Sequence, residues 1–310
     1  MTLLEKSIIA TISYFDIFDY PLTLMEIWKW LFVSTEHGTQ SQGQENITVV
    51  QKALESSEYL QWRIAAKDGF YFLKGRETII QIRGERYSLA ERKYHRAKRI
   101  ICWLRWFPFI KMIGVCNTLA YNNSRQDADI DLFIVTKRRR VWQTRFWVTG
   151  FLKLLGLRPR PGRTRDCLCA SFFVDEDHLD LYELAIVQEI YLPYWITQVV
   201  PVYDEDVYER FMAANQWVRK LLPNFLPIGP TSRHRLRPLG WGKKVINGKF
   251  SLWPERIFKR GQLAIMPDNL KSKIGAGSQV VVRDGVLKFH DNDRRALFLK
   301  RWRERLASVI

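Results

Sequence analysis

The chain has 310 residues, 47% of them apolar, so it can bury the cores of two or three domains and is a globular protein. Its 49 Lys and Arg residues outnumber its 32 Asp and Glu residues, and the formal charge of +17 favours nucleic acid, nucleotides or an anionic surface as partners. Every apolar stretch falls short of the roughly 20 residues that a membrane-spanning helix needs, which excludes a span.

Cysteine usage predicts where the protein works. The four cysteines, Cys102, Cys116, Cys167 and Cys169, have no CxxC spacing and no secretory leader ahead of them. Such a pattern is typical of free thiols in the reducing cytoplasm, so we expect a cytoplasmic protein without disulfides.

The N-terminal residues 1–75 carry the pattern of a winged helix. Residues 3–15 predict a helix, and Thr23 and Thr48 each open a capping-box pattern followed by an apolar-periodic run, which predicts two more helices. The Asp68-Gly69 pair predicts a hairpin turn between two short strands. Three helices followed by a two-stranded wing define a winged helix, and the Gly-, Gln- and Ser-rich segment 36–46 is predicted to be a loop.

DNA binding by this region has weak support in the sequence. The third predicted helix, at residues 49–60, sets one Lys against Glu55 and Glu58 and would meet phosphates poorly. A structural or protein-docking role is favoured, and a winged-helix transcription regulator stays as a third hypothesis for the whole chain. Residues 76–106 predict a long basic helix that connects this region to the next.

Two carboxylates stand out in the central region, residues 107–200. Segments 109–115, 129–135 and 167–174 predict strands, and residues 138–155 predict an amphipathic helix. Alternate side chains of a strand share a face, so Asp129 and Asp131 project together. Because two such carboxylates repel each other, a divalent cation is the usual remedy, and Mg²⁺ takes oxygen ligands of this kind. The alternative is a strand edge with two solvated acids.

The same stretch resembles the nucleotidyltransferase superfamily, in particular its small bacterial and archaeal members. The strand "KMIGV" is followed by Asn117-Thr118, at the place of a Gly-Ser pair, and ten residues separate this pair from Asp129 in "DADIDLFIV". A basic helix "KRRRVWQTRFW", a strand "CLCASFF", a helix "LYELAIVQEIYLPYW" and a helix "NQWVRKLLPN" continue the resemblance. It covers roughly residues 5–225 and is strongest over 112–147.

The resemblance implies a fold and a reaction. The fold would be α+β, with a mixed nucleotidyltransferase-type sheet and flanking helices at 107–200. The reaction would transfer a nucleoside monophosphate from an NTP to an acceptor hydroxyl. Asp129 and Asp131 would be the catalytic metal ligands, holding Mg²⁺ (or Mn²⁺) that bridges the phosphates. Gly114, Asn117 and Thr118 would bind the nucleotide, with the Thr118 hydroxyl offered to a phosphate.

Two departures from the family pattern keep a second hypothesis open. Gly is favoured in the phosphate turn because the backbone must approach the phosphates closely, and this chain has Asn117 there. The third carboxylate of active members has no counterpart in the strand at 167–174, where Asp166 and Asp175 only flank the ends. A catalytically degenerate protein that binds nucleotide, RNA or a protein partner is therefore the alternative to an enzyme.

Two basic runs, residues 137–140 and 158–165, predict either a groove for triphosphate or RNA or a solvated face. The first run follows the Asp129 strand in sequence, so Arg138 and Arg139 are nucleotide-binding candidates.

In residues 201–310 we predict a mostly helical domain, with helices at 206–222 and 251–266 and a basic terminal helix. A hairpin or another helix is predicted around 283–285. The sequence does not identify the acceptor.

Overall fold

A computed structural model describes residues 1–34, 45–227, 234–275, 277–289 and 293–309. Within these residues the protein is α+β, with thirteen helices, a mixed six-stranded sheet and a separate two-stranded hairpin. Most of the loop predicted at 36–46 lies outside the described residues.

The N-terminal region contains four helices and the hairpin. Their bounds are α1 Leu3–Asp16, α2 Leu24–Lys29, α3 Ile47–Ser56, α4 Glu58–Gln61, β1 Ile64–Lys67 and β2 Phe70–Leu73. The strands are antiparallel, and both turn residues have positive φ, 53° at Asp68 and 77° at Gly69, as a tight hairpin requires. The elements occur in the order that the winged-helix prediction needs, and that assignment stays a prediction.

The helix starts of this region test the capping predictions. The capping box predicted at Thr23 is present, because Thr23 and Glu26 each bond the other's backbone N–H. The box predicted at Thr48 is wrong, since the Asn46 side chain accepts the Thr48 N–H and caps α3 instead. The helix predicted over 49–60 is interrupted at Ser57, whose hydroxyl accepts the Leu60 N–H and starts α4.

The chain continues through a long helix into the central sheet. The elements are α5 Ile79–Leu104, β3 Ile110–Val115, α6 Asn117–Ala120, β4 Ile130–Thr136, α7 Val141–Leu154 and β5 Leu168–Asp175. Those that follow are α8 Tyr191–Gln198, β6 Val200–Asp204, α9 Tyr208–Ala214, α10 Trp241–Ser251, α11 Glu255–Ala264, α12 Asp268–Lys271, β7 Val280–Arg283, β8 Val286–Phe289 and α13 Arg295–Ala307.

Three predicted helices are shorter than expected. In the segment 181–195 a 3-10 helix spans Tyr182–Leu184, and the α-helix begins only at Tyr191, where the Glu189 carboxylate accepts the Tyr191 and Leu192 N–H groups. The helix predicted at 206–222 is an α-helix only as far as Ala214 and continues as a 3-10 helix at Gln216–Lys220; between the two, the buried Asn215 side chain bonds the backbone of residues 179 and 181. The helix predicted at 251–266 begins at Glu255, because Pro254 disfavours a helical residue before it.

The six-stranded sheet has the order β6-β3-β4-β5-β8-β7, in which β4 and β5 are the parallel pair. Strands β6, β7 and β8 come from beyond residue 199, so the domain boundary predicted at residue 200 runs through this sheet. The hairpin predicted around 283–285 is therefore part of the central sheet. Leu132 of β4 lies opposite Val115 of β3, and Asp131 lies opposite Cys169 of β5.

Both faces of the sheet are covered. Phe133 and Val135 of β4 pack into a core shared with the N-terminal helices and α8, whereas Ile130 and Ile134 pack into a second core with α5 and α7. Asp131 has the same strand parity as Phe133, so it faces the side covered by the N-terminal region and α8.

Candidate metal and nucleotide site

Asp129 and Asp131 come together at the beginning of β4. Their carboxylate oxygens and the Sγ atom of Cys169 all lie within 4.8 Å of one another, and the three residues are partly buried. The period-two alternation of the strand predicted that the two carboxylates would share a face, and the coordinates place them so. Metal binding by this cluster stays a prediction.

Asn117 closes one side of the cluster. Its φ of 57° is left-handed, a conformation that Asn adopts more readily than most residues. The side-chain amide Nδ2 donates to Asp131 Oδ2 at 2.6 Å, and the Tyr191 hydroxyl donates to Asn117 Oδ1 at 3.0 Å. Tyr191 on α8 therefore fixes the orientation of the amide that faces Asp131.

The carboxyl groups are held under electrostatic strain. Burial raises the pKa of Asp131 to about 7, with a further contribution from the charge of Asp129, while hydrogen bonds from Asn117 and Cys169 lower it. Burial also raises the pKa of Asp129, and the Lys93 ammonium offsets part of that rise. Ionising both groups is costly without a nearby positive charge, and a divalent cation would supply one.

Lys93 is a residue that the sequence analysis missed. It lies on α5 with only 3% of its side chain exposed, donates to the carbonyl oxygens of Gln126 and Ala128, and sits 3.6 Å from the Asp166 carboxylate. A buried ammonium thus holds the segment that leads into Asp129. The sequence could have indicated this burial, because Lys93 lies between Ala90 and Ala97 on the apolar stripe of the helix.

Cys169 is the second residue that was missed. It faces Asp131 across the parallel β4–β5 pair, in the strand where an acid was sought and not found. The flanking acids lie elsewhere. Asp166 contacts Lys93, and Asp175 lies at the far end of β5, where it accepts the Arg139 N–H at 2.8 Å and lies 2.6 Å from His178 Nδ1.

Gly114 and Thr118 have different surroundings. Gly114 lies inside β3, where a Cβ atom would come within 2.8 Å of Val199 Cγ1. Its small size is therefore needed for packing of the chain that enters β6. Thr118 follows Asn117 in the first turn of α6, with its side chain partly buried.

The structure does not bring Arg138 and Arg139 to the carboxylates. They follow the opposite end of β4, and at about 3.3 Å per residue this strand separates them from Asp131 by roughly 20 Å. Arg138 pairs instead with Asp177 at 2.7 Å. Their nearness to Asp131 in sequence was misleading because an extended strand lies between them.

The second basic run lies beside the site instead. The Thr164 hydroxyl donates to the Asp127 carbonyl at 2.9 Å, and the Asp166 N–H donates to the Ala128 carbonyl at 3.3 Å. Residues 126–127 and 162–165 line an open groove of about 600 Å³ that includes the exposed Arg163 and Arg165. This groove starts two residues from Asp129.

The donor set fits a divalent cation. Two carboxylates in one partly buried place are the ligands that Mg²⁺ and Mn²⁺ take from proteins, and water or phosphate oxygens complete such shells. Asp129 and Asp131 are the residues that would hold the ion.

Comparisons with protein-family models, curated proteins and solved structures find no match to this chain. Among the described residues, no helix has both the length and the apolar character to cross a membrane. All four cysteines are free thiols.

Proposed function

We propose that this protein is a divalent-metal-dependent nucleotidyltransferase that uses an NTP and an acceptor whose identity is open. The observation that carries the proposal is the close approach of Asp129 and Asp131 beside the turn at Asn117. Their repulsion and the raised pKa of Asp131 are the cost of placing two carboxylates together in a partly buried cluster. Such a cost is typical of functional sites.

In the proposed reaction an oxygen of the acceptor hydroxyl forms a bond to the α-phosphorus of the NTP. The bond between that phosphorus and the β-phosphate bridging oxygen breaks, pyrophosphate leaves, and the hydroxyl proton passes to solvent. Asp129 and Asp131 would hold Mg²⁺ or Mn²⁺, which would supply positive charge to neutralise and position the triphosphate. The Lys93 ammonium fixes the segment that carries Asp129.

The groove that begins near Asp129 supports a role in binding the triphosphate. Arg163 and Arg165 line the groove next to Asp127, and guanidinium groups match phosphate oxygens in geometry and charge. The net charge of +17 also permits a nucleic-acid acceptor. NTP as substrate and four free thiols fit a cytoplasmic location.

One observation favours the alternative, a nucleotide-binding protein without catalysis. The Asn117 amide already occupies Asp131 Oδ2 at 2.6 Å, on the side where the family pattern has glycine. If Asn117 obstructs the phosphates, Asn117→Gly should strengthen nucleotide binding or raise transfer. If the Asn117 amide instead donates a hydrogen bond to a phosphate, Asn117→Gly should weaken nucleotide binding by about 1 kcal/mol, the scale of one net hydrogen bond.

A labelling experiment tests the proposal. Cell lysate is incubated with protein, Mg²⁺ or Mn²⁺, and NTPs labelled at the α- or the γ-phosphate. We expect the α-label in an acceptor and the γ-label in pyrophosphate, both abolished by Asp129→Ala and unaffected by Asp268→Ala, which removes a fully exposed acid of α12 outside the cluster. Nucleotide binding without transfer by the wild type would favour the degenerate alternative, and neither binding nor transfer would refute both.

A further inference from the structure

Cys169 brings a third donor, a sulfur atom, to the carboxylate cluster. Its Sγ atom lies within 4.8 Å of a carboxylate oxygen of both Asp129 and Asp131. The placement follows from strand register, since Cys169 and Asp131 are direct partners across the parallel β4–β5 pair. Both strands belong to the central sheet and are packed on both faces, so the thiol is held in this position by the fold.

Cys169 is also less buried than its neighbouring cysteines. Cys169 is partly exposed, whereas Cys116 and Cys167 are buried, with 4% and 3% of their surfaces exposed. Within the described residues, the metal-competent cluster includes Cys169 and no other cysteine. An ion that reaches the two carboxylates therefore meets this sulfur.

Sulfur and oxygen donors select different ions. Mg²⁺ is a hard cation that binds oxygen and gains little from a thiol, whereas thiolate ligands favour softer ions such as Zn²⁺. Across divalent first-row ions, N, O and S sites also bind Zn²⁺ more tightly than Mn²⁺. A set of two carboxylates and one thiol should therefore shift preference away from Mg²⁺.

We propose that Cys169 is the third protein ligand of this site and makes it selective for thiophilic divalent cations, with Zn²⁺ and Cd²⁺ bound most tightly and Mn²⁺ ahead of Mg²⁺. The metal–sulfur bond forms as the thiol loses its proton to solvent, with no change of oxidation state. This selectivity concerns the metal site of the proposed nucleotidyltransferase. It rests on that proposed function only in taking the cluster to be the enzyme's metal site.

The first test reads the metal–sulfur bond directly. Cd²⁺ is titrated into reduced, metal-free protein while the ultraviolet charge-transfer absorption of a Cd²⁺–thiolate bond is followed. The wild type should give the band at one equivalent, Cys169→Ser should lack it, and Cys102→Ser, which changes a partly exposed thiol outside the cluster, should keep it. A wild type without the band, or a Cys169→Ser variant that retains it, overturns the proposal.

The second test measures selectivity. Cys169→Ser should lower Zn²⁺ affinity at least about tenfold, since loss of even a supporting outer-shell group costs 10- to 100-fold. Mg²⁺ affinity should stay nearly constant in that variant and rise in Cys169→Asp, which places a third carboxylate at the same position. Equal losses for Zn²⁺ and Mg²⁺ in Cys169→Ser would mean that the thiol does not discriminate between ions.

A measurement on the wild type alone guards against a variant that fails to fold. Zn²⁺ should protect Cys169 from alkylation, read by mass spectrometry, and Mg²⁺ at the same concentration should not. Alkylation at equal rates with and without Zn²⁺ refutes the ligand assignment. If Zn²⁺ does not protect Cys169 but Mg²⁺-dependent nucleotide transfer is observed, the ligand assignment is refuted and the proposed function is not. If the wild type binds no divalent metal at all, both the ligand assignment and the proposed function are refuted.

Discussion

Replacing Asp131 by Asn should stabilise the metal-free protein, and the gain should grow with pH. Burial and Asp129 raise the pKa of Asp131 in the folded protein to about 7, against about 3.9 in an unfolded chain. A carboxyl with a raised pKa contributes fully to stability below its unfolded pKa, and that contribution is lost as the pH rises through its folded pKa. At about 1.4 kcal/mol per pKa unit, the wild type loses roughly 4 kcal/mol of unfolding free energy as Asp131 ionises. Roughly 2 to 3 kcal/mol of this loss falls between pH 5 and pH 8.

The assay is urea unfolding of the wild type and Asp131→Asn at pH 5 and pH 8 with a chelator present. The Asn side chain keeps an oxygen acceptor for the Asn117 amide, so the comparison isolates the charge. We expect the difference in unfolding free energy between the two proteins to increase with pH by roughly 2 to 3 kcal/mol. Asp127→Asn is the control, because Asp127 is exposed and its pKa is lowered by Arg125, so no such gain is expected.

Either of two results would contradict the raised pKa of Asp131. One is a stability difference between wild type and Asp131→Asn that stays the same at both pH values. The other is a variant less stable than the wild type at pH 8, which would mean that the ionised carboxylate is stabilised by a partner rather than strained.

Three further changes test other parts of the account. Gly114→Ala should cost roughly 1 to 3 kcal/mol of unfolding free energy by overpacking, because the new Cβ would meet Val199 at 2.8 Å. Denaturation should show partial recovery with Val199→Ala, and no recovery would contradict the clash. Asn117→Ala should be about 1 kcal/mol less stable than Asn117→Gly, since φ is 57° there; equal melting temperatures would argue against that conformation. Arg163→Ser should weaken nucleotide binding while Arg139→Ser should not, and calorimetry showing the reverse would place the triphosphate elsewhere.

The strand pattern was enough to place the carboxylate pair. Asp129 and Asp131 alternate with apolar residues that the core needs, so period two alone put them on one face. The place of Asn117 came from the resemblance to nucleotidyltransferases, in which the Gly-Ser pair precedes the Asp strand. The alternation along the strand depends on local geometry, which a sequence carries directly.

The remaining parts of the site depend on relations between distant segments. Cys169 meets Asp131 through inter-strand register, which no local pattern specifies. Arg139 was placed too near because its sequence distance ignored the length of β4. At the breaks at Ser57 and Asn215, side chains bond backbone groups of a following helix or of a distant segment, and no periodic pattern specifies such bonds. Of these residues, only Lys93 could have been predicted from the sequence, because it is a charged residue on an apolar helical stripe.

We propose that Asp129 and Asp131 bind a nucleotide through a divalent cation. Calorimetric titration of a non-hydrolysable NTP analogue, with Mn²⁺ or with chelator, into wild type, Asp129→Asn and Asp131→Asn measures this binding. We expect binding that requires Mn²⁺ in the wild type and is lost in both variants, whose fold is verified by unchanged circular dichroism. Equal affinity in all three proteins, or binding that persists in chelator, would contradict it.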